Sequence, residues 1–185
     1  SPNLQQQSYQ IQVAQNEKDL KQGKNLIWDS GIVPSNESVL IPYGGQNLAS
    51  GNEYLWRVKA ITNKGETGWS DINRWSMALL NESDWKAKWI GEDEFSNPGE
   101  TDKGDTRLAA RYLRKPFNVN KRIKRAVLYI SGLGAYEAYV NGNRVSDDVL
   151  APTVSWFPEK VYYNVYDVTS LLNNKENFMA VKFGN

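Results

Sequence analysis

Polar and apolar residues alternate through Tyr9-Gln10-Ile11-Gln12-Val13-Ala14 with the two-residue period of a half-buried strand, Tyr9, Ile11 and Val13 lying on one side. Two further short apolar runs, residues 26–31 and 38–42, are bounded by Gly, Pro, Asn and Ser, and both read as strands. Residues 53–60 place Tyr54, Trp56, Val58 and Ala60 on one face and Leu55, Arg57 and Lys59 on the other. A Tyr at the start of such a strand suits a tyrosine corner, in which its hydroxyl bonds to backbone a few residues upstream. A turn rich in Asn and Gly and a closing strand at 74–77 complete this first block.

After a polar stretch the strand pattern resumes at 110–119 and 125–131. Asn141-Gly142 lies between two β runs, and because both residue types tolerate positive φ the pair predicts a tight hairpin. An alternating strand follows at 161–167, then a short helical turn at 167–172 with Asp167 positioned to cap backbone N–H groups, then a last strand at 177–183. No heptad, fixed-period repeat or low-complexity tract interrupts the sequence, and little helix is expected. The expectation is an all-β chain of two β-sandwich domains.

Composition narrows the chemistry. The 185 residues carry 22 Lys+Arg against 21 Asp+Glu, with no basic stripe able to neutralise a phosphate backbone, so nucleic acid is not an expected partner. No apolar run approaches the roughly 20 residues of a membrane span, so no membrane partner is expected either. The sequence has no Cys and no His, which removes disulfides, thiolate nucleophiles, Ser-His-Asp triads and the usual zinc sites. Carboxylate, amide, hydroxyl and aromatic chemistry remains, supplied in part by seven Trp, ten Tyr and five Phe. No cofactor and no metal site is expected: Asp147-Asp148 and Glu92-Asp93-Glu94 lack the graded spacing of a calcium loop.

Leu48, Gly51, Tyr54, Arg57, Val58, Ala60, Gly65 and Ser70 give residues 4–79 a resemblance to a fibronectin type III domain, of the immunoglobulin-like class. The second half, with Tyr136-x-x-Tyr139-Val140-Asn141-Gly142 and Asp167-Val168-Thr169-x-Leu171-Leu172, resembles the jelly-roll domains attached to many glycoside hydrolases. Three elements make the resemblance specific: Trp28-Asp29-Ser30-Gly31; Asp84-Trp85-x-Ala87-x-Trp89-Ile90-Gly91; and Leu113-Arg114-Lys115-x-Phe117 with Leu150-Ala151-Pro152. Together they resemble the N-terminal region of bacterial α-L-rhamnosidases.

That resemblance implies a fibronectin-like domain over 1–80, a connector and exposed loop over 81–106, and a jelly roll over 107–185 that ends before the family's last strands. It implies an (α/α)6-barrel catalytic domain outside this chain, hydrolysing terminal α-L-rhamnosyl residues with inversion through two glutamates of the barrel. No catalytic residue is therefore assigned here, and the chain is expected to be inactive alone. A rhamnose-containing glycan and the C-terminal catalytic domain are the implied partners, and export to the periplasm or beyond is expected.

For sugar binding, Trp156 and Phe157 in a Pro-flanked loop offer aromatic faces, with Asn141, Arg144 and Asp148 as candidate hydrogen-bonding groups. Trp85 and Trp89, four residues apart, are read as aromatics sealing the seam between domains. A free-standing carbohydrate-binding module and a structural immunoglobulin-like surface protein are the competing functional classes.

Overall fold

The computed structural model describes residues 3–91 and 110–184. The exposed loop expected at 92–106 lies outside the described residues. Contacts divide the chain into two units, Ser1–Ile90 and Gly91–Asn185. Strands dominate both, and among the described residues no helix is long and apolar enough to cross a membrane.

The first unit centres on β1 (Gln6–Ala14) paired antiparallel with β3 (Glu53–Thr62); β2 (Trp28–Asp29) flanks β1, while β4 (Gly65–Glu66) and β5 (Asn73–Ser76) both pair with β3. The register sets Val13 opposite Trp56, Ile11 opposite Val58 and Tyr9 opposite Ala60, so the alternation seen in the sequence makes one apolar face. On the other face Gln12 lies opposite Arg57 and Ala14 opposite Leu55. The tyrosine corner forms: the Tyr54 hydroxyl accepts the Ala49 N–H at 2.8 Å. Asp29 pins β2 to β1 by accepting from Gln10 at 2.7 Å and Gln12 at 2.8 Å.

Two departures from the expected pattern stand out. A helix, α1 (Glu17–Gln22), occupies the polar stretch after β1. Asn16 caps it by accepting from the Asp19 N–H at 2.9 Å, Gly23 ends it at φ 63°, and its one buried residue, Leu20, packs on Ala14 and Leu55. The run 38–42 is not a strand. Among the described residues no backbone-to-backbone hydrogen bond involves residues 34–45, and an apolar run with no neighbour to pair with cannot join a ladder.

In the second unit, β6 (Arg111–Asn118), β11 (Glu176–Gly184), β8 (Ala135–Val140) and β9 (Asn143–Arg144) form a four-stranded antiparallel sheet in that order. β7 (Val127–Ser131) and β10 (Tyr163–Asp167) form a two-stranded sheet. Tyr136, Ala138 and Val181 from the larger sheet pack with Leu128, Ile130 and Tyr166 from the smaller, which puts the core between two layers as a sandwich requires. Pro116 sits inside β6, a position that β6 tolerates because it is the edge strand. The Asn141-Gly142 hairpin turn has φ of 51° and 82°, and just before the 3-10 turn Thr169–Leu171, whose N-cap is Val168, the Asp167 carboxylate accepts the Thr169 N–H at 2.9 Å.

Candidate functional site

Because strand residues alternate faces, packing Tyr136 and Ala138 inward turns Glu137 and Tyr139 outward. The register then lines up a row across the outer face of the sheet: Tyr112 on β6 opposite Lys182 on β11, and Lys182 opposite Glu137 on β8. The next row sets Arg114 opposite Ala180, Ala180 opposite Tyr139, and Tyr139 opposite Arg144 on β9.

Glu137 is the hub of this face. Its Oε1 lies 3.3 Å from Arg144 Nη2, and its Oε2 accepts the Tyr139 hydroxyl at 2.9 Å. Arg144 Nη2 also donates to the backbone oxygen of Asp148 at 3.0 Å, while the Asp148 carboxylate accepts from the Tyr166 hydroxyl at 3.0 Å. The hairpin and the 146–150 loop are thus tied together by one guanidinium. The bond to Glu137 raises the Tyr139 pKa, and burial, aided by the bond to Asp148, raises that of Tyr166. Burial and the interaction with Tyr166 push Tyr136 well above the ordinary phenol range. At neutral pH these phenols are uncharged hydrogen-bonding groups, unsuited to acid–base work.

Beside this row lies a hollow of about 300 Å³ lined by Glu137, Arg144, Lys182, Val149 and Leu150. Leu150 is 78% exposed and sits at φ 55°, a left-handed conformation that is costly for a residue with a branched side chain. The cause is local: Ala151 is buried, and its carbonyl accepts the Tyr136 N–H at 2.7 Å, which turns the preceding Leu outward.

Of the residues expected to bind sugar, Arg144 and Asp148 meet in this cluster. The Asn141 side chain is engaged inside the domain, donating to Leu171 O and Asn177 Oδ1, each at 2.8 Å, and accepting from Phe178 N–H at 2.9 Å. Trp156 is 71% exposed on a loop closed by Glu159 and Lys160 N–H groups on its own carbonyl, and Phe157 beside it is half-buried. Among the described residues no hydrogen bond or ring contact links this pair to Arg144 or Asp148. Residues 85–91 form no helix, so the four-residue spacing of half-buried Trp85 and Trp89, which is 63% exposed, gives no common helical face.

Sequence reading missed Glu137, Tyr139, Lys182 and Tyr112. The signal for the first two was the period of the strand itself, since Tyr136 and Ala138 inward requires Glu137 and Tyr139 outward. Lys182 and Tyr112 join them only through strand pairing, Lys182 with Glu137 at a separation of 45 positions and Tyr112 with Lys182 at 70, which no local pattern encodes.

Residues 1–81 match the model of the Rha78A-like, N-terminal immunoglobulin domain, and residues 121–185 match that of the alpha-L-rhamnosidase N-terminal domain. An alpha-L-rhamnosidase of Formosa agariphila is 34% identical over 97% of this chain and 20% of its own length. The solved alpha-L-rhamnosidase from Dictyoglumus thermophilum superposes with a TM-score of 0.90 at 35% identity, covering 100% of this chain and 22% of that one. The enzyme from Aspergillus terreus gives 0.80 at 32% identity, over 98% of this chain and 20% of its own. The chain thus spans about a fifth of the length of the relatives it matches. By both domains and by the fold that carries them, this chain belongs to the α-L-rhamnosidase family, as part of its N-terminal region.

Proposed function

We propose that this chain is a non-catalytic N-terminal portion of an α-L-rhamnosidase, and that its second unit recognises rhamnose-containing glycan for a catalytic domain carried elsewhere in the polypeptide. The observation that carries the reading is one of extent: almost all of this chain aligns with relatives of which it represents only a fifth. The outer face described above supports the recognition role. It offers a carboxylate, a guanidinium and an ammonium around a hollow with Val149 and Leu150 in its wall, which is the mixture of apolar wall and convergent polar groups that a small saccharide requires. Hydrolysis of terminal α-L-rhamnosyl residues belongs, in this reading, to the catalytic domain, where an inverting pair of carboxylates would stand roughly 6.5 to 9.5 Å apart. Glu137 is ill-suited to that chemistry, both of its oxygens being held by Arg144 and Tyr139. Export follows as part of the proposal, since glycan polymers are met outside the cytoplasm.

The test is turnover of an aryl α-L-rhamnoside by the 185-residue chain alone. No release of the aryl group above buffer is expected. Release that persists through repeated purification overturns the non-catalytic assignment.

A further inference from the structure

Charge on the outer face of the four-stranded sheet is unevenly matched. Lys182 lies directly across from Glu137 in the register, yet the two form no ion pair; Glu137 is engaged by Arg144 and Tyr139. Among the described residues Lys182 has no ion-pair partner. Arg114, on the same face, stacks 4.5 Å from the Phe178 ring centroid and likewise has no carboxylate partner among the described residues. The hollow is therefore lined by one satisfied ion pair and one uncompensated cation.

Outside the lining of the hollow, Tyr112 lies in register with Lys182 and is 76% exposed, an aromatic face on the neighbouring strand. Val149 and Leu150 give an apolar wall, with Leu150 held outward at positive φ, and strain of that kind persists where the surrounding structure over-determines it. A volume of 300 Å³ is at the lower end of ligand-pocket sizes, enough for one sugar ring and part of a second.

We infer that the hollow beside Lys182 is a subsite for an anionic sugar, a carboxylated pyranose of the hexuronate class. Lys182 meets the sugar carboxylate, Val149 and Leu150 lie against the ring's C–H face, and the Arg144–Glu137 pair receives hydroxyls. The inference rests on the glycan-recognition reading and narrows it: the glycan recognised here carries acidic residues along with rhamnose.

The matched probes are D-glucuronate and D-glucose, which differ in a carboxylate at one carbon. Each is titrated into the isotope-labelled full chain while backbone amide shifts are followed. Glucuronate is expected to move the amides of Lys182, Glu137 and Leu150 saturably, with glucose binding about tenfold more weakly, the value of one charge-assisted hydrogen bond. Lys182→Gln is expected to bring glucuronate down to the level of glucose. Equal binding of the two sugars, no response to glucuronate, or wild-type glucuronate binding by Lys182→Gln overturns the inference. A neutral rhamnosyl oligosaccharide run in parallel separates the two failures: if it moves these amides while glucuronate gains nothing over glucose, the acidic preference falls and the recognition reading stands.

Discussion

Both units are built from antiparallel strands with the same inward-outward alternation, and they close their cores differently. In the second, the inward faces of two sheets meet, with Tyr136, Ala138 and Val181 against Leu128, Ile130 and Tyr166. In the first, one five-stranded sheet turns Tyr9, Ile11, Val13, Trp56 and Val58 toward a groove of about 720 Å³. The chain across that groove, with Val39 and Leu40 exposed, makes no backbone-to-backbone hydrogen bonds over residues 34–45. Val13 and Tyr9 are nonetheless buried on the groove face, where Tyr43 of that segment packs edge-on against Trp28, and a further buried cluster lies on the opposite side, where α1 sets Leu20 against Ala14 and Leu55. A strand's apolar pattern thus states that a face is to be covered, and leaves open what covers it.

The largest expected effect falls on a polar residue of the second unit. Asn177 is 0% exposed; its Oδ1 accepts from Asn141 Nδ2 at 2.8 Å and from Asn173 N–H at 2.7 Å, and its Nδ2 donates to Asn173 O and Lys175 O. Asn177→Ala strands several buried partners at once and is expected to destabilise the second unit by about 3 kcal/mol. The first unit, sharing none of these bonds, should keep its stability. Residue-by-residue hydrogen exchange reads both units in one sample. Equal loss in the two would show that they unfold together and would remove the basis for comparing them separately.

The Asn141–Asn177 network also marks how far the sequence could be read. Asn141-Gly142 announced the hairpin because positive φ is a local property of those residues, and the structure has φ of 51° and 82° there. Tyr54 and Asp167 were legible for the same reason, each bonding to backbone within five residues. The second function of Asn141, holding Asn177 and Phe178 across the sheet, is non-local and was read from sequence as a sugar contact. The site followed the same division: Arg144 and Asp148 stand close in sequence and meet, whereas Lys182 and Tyr112 reach Glu137 only through register. The helix α1 escaped because six residues with one buried Leu show no period. The run 38–42 misled because apolar composition was taken for pairing, and pairing needs a neighbour.

A smaller effect sharpens the comparison through pH. Burial alone would raise the Asp29 pKa, but bonds from Gln10, Gln12 and the Gly31 N–H outweigh it and hold the carboxyl below its usual value. A depressed folded pKa contributes stability that is present above the unfolded value of about 4 and is lost as pH falls through the folded one. The site is largely open to solvent, so the contribution is about 1 kcal/mol or less. Asp29→Asn should flatten the first unit's loss of stability as pH falls from about 4 through the lower folded value, and leave the second unit's limb unchanged. An unchanged first-unit limb would mean that the β1–β2 junction does not need the charge.

The smallest expected effect bears most directly on how the two cores differ. Leu40 is 96% exposed at φ 55°, beside the open groove of the first unit. Exposed substitutions away from caps and packed contacts usually stay within about 0.5 kcal/mol, so Leu40→Ser should leave first-unit stability in urea almost unchanged. Leu40→Gly should do slightly better, because glycine adopts positive φ without the steric cost that leucine bears there. A loss well beyond 0.5 kcal/mol for Leu40→Ser would place this side chain in a packed layer in solution. The first unit would then close its core from two sides as the second does, with the 38–42 segment serving as an unpaired covering layer, and the contrast between the units would reduce to one of hydrogen bonding alone.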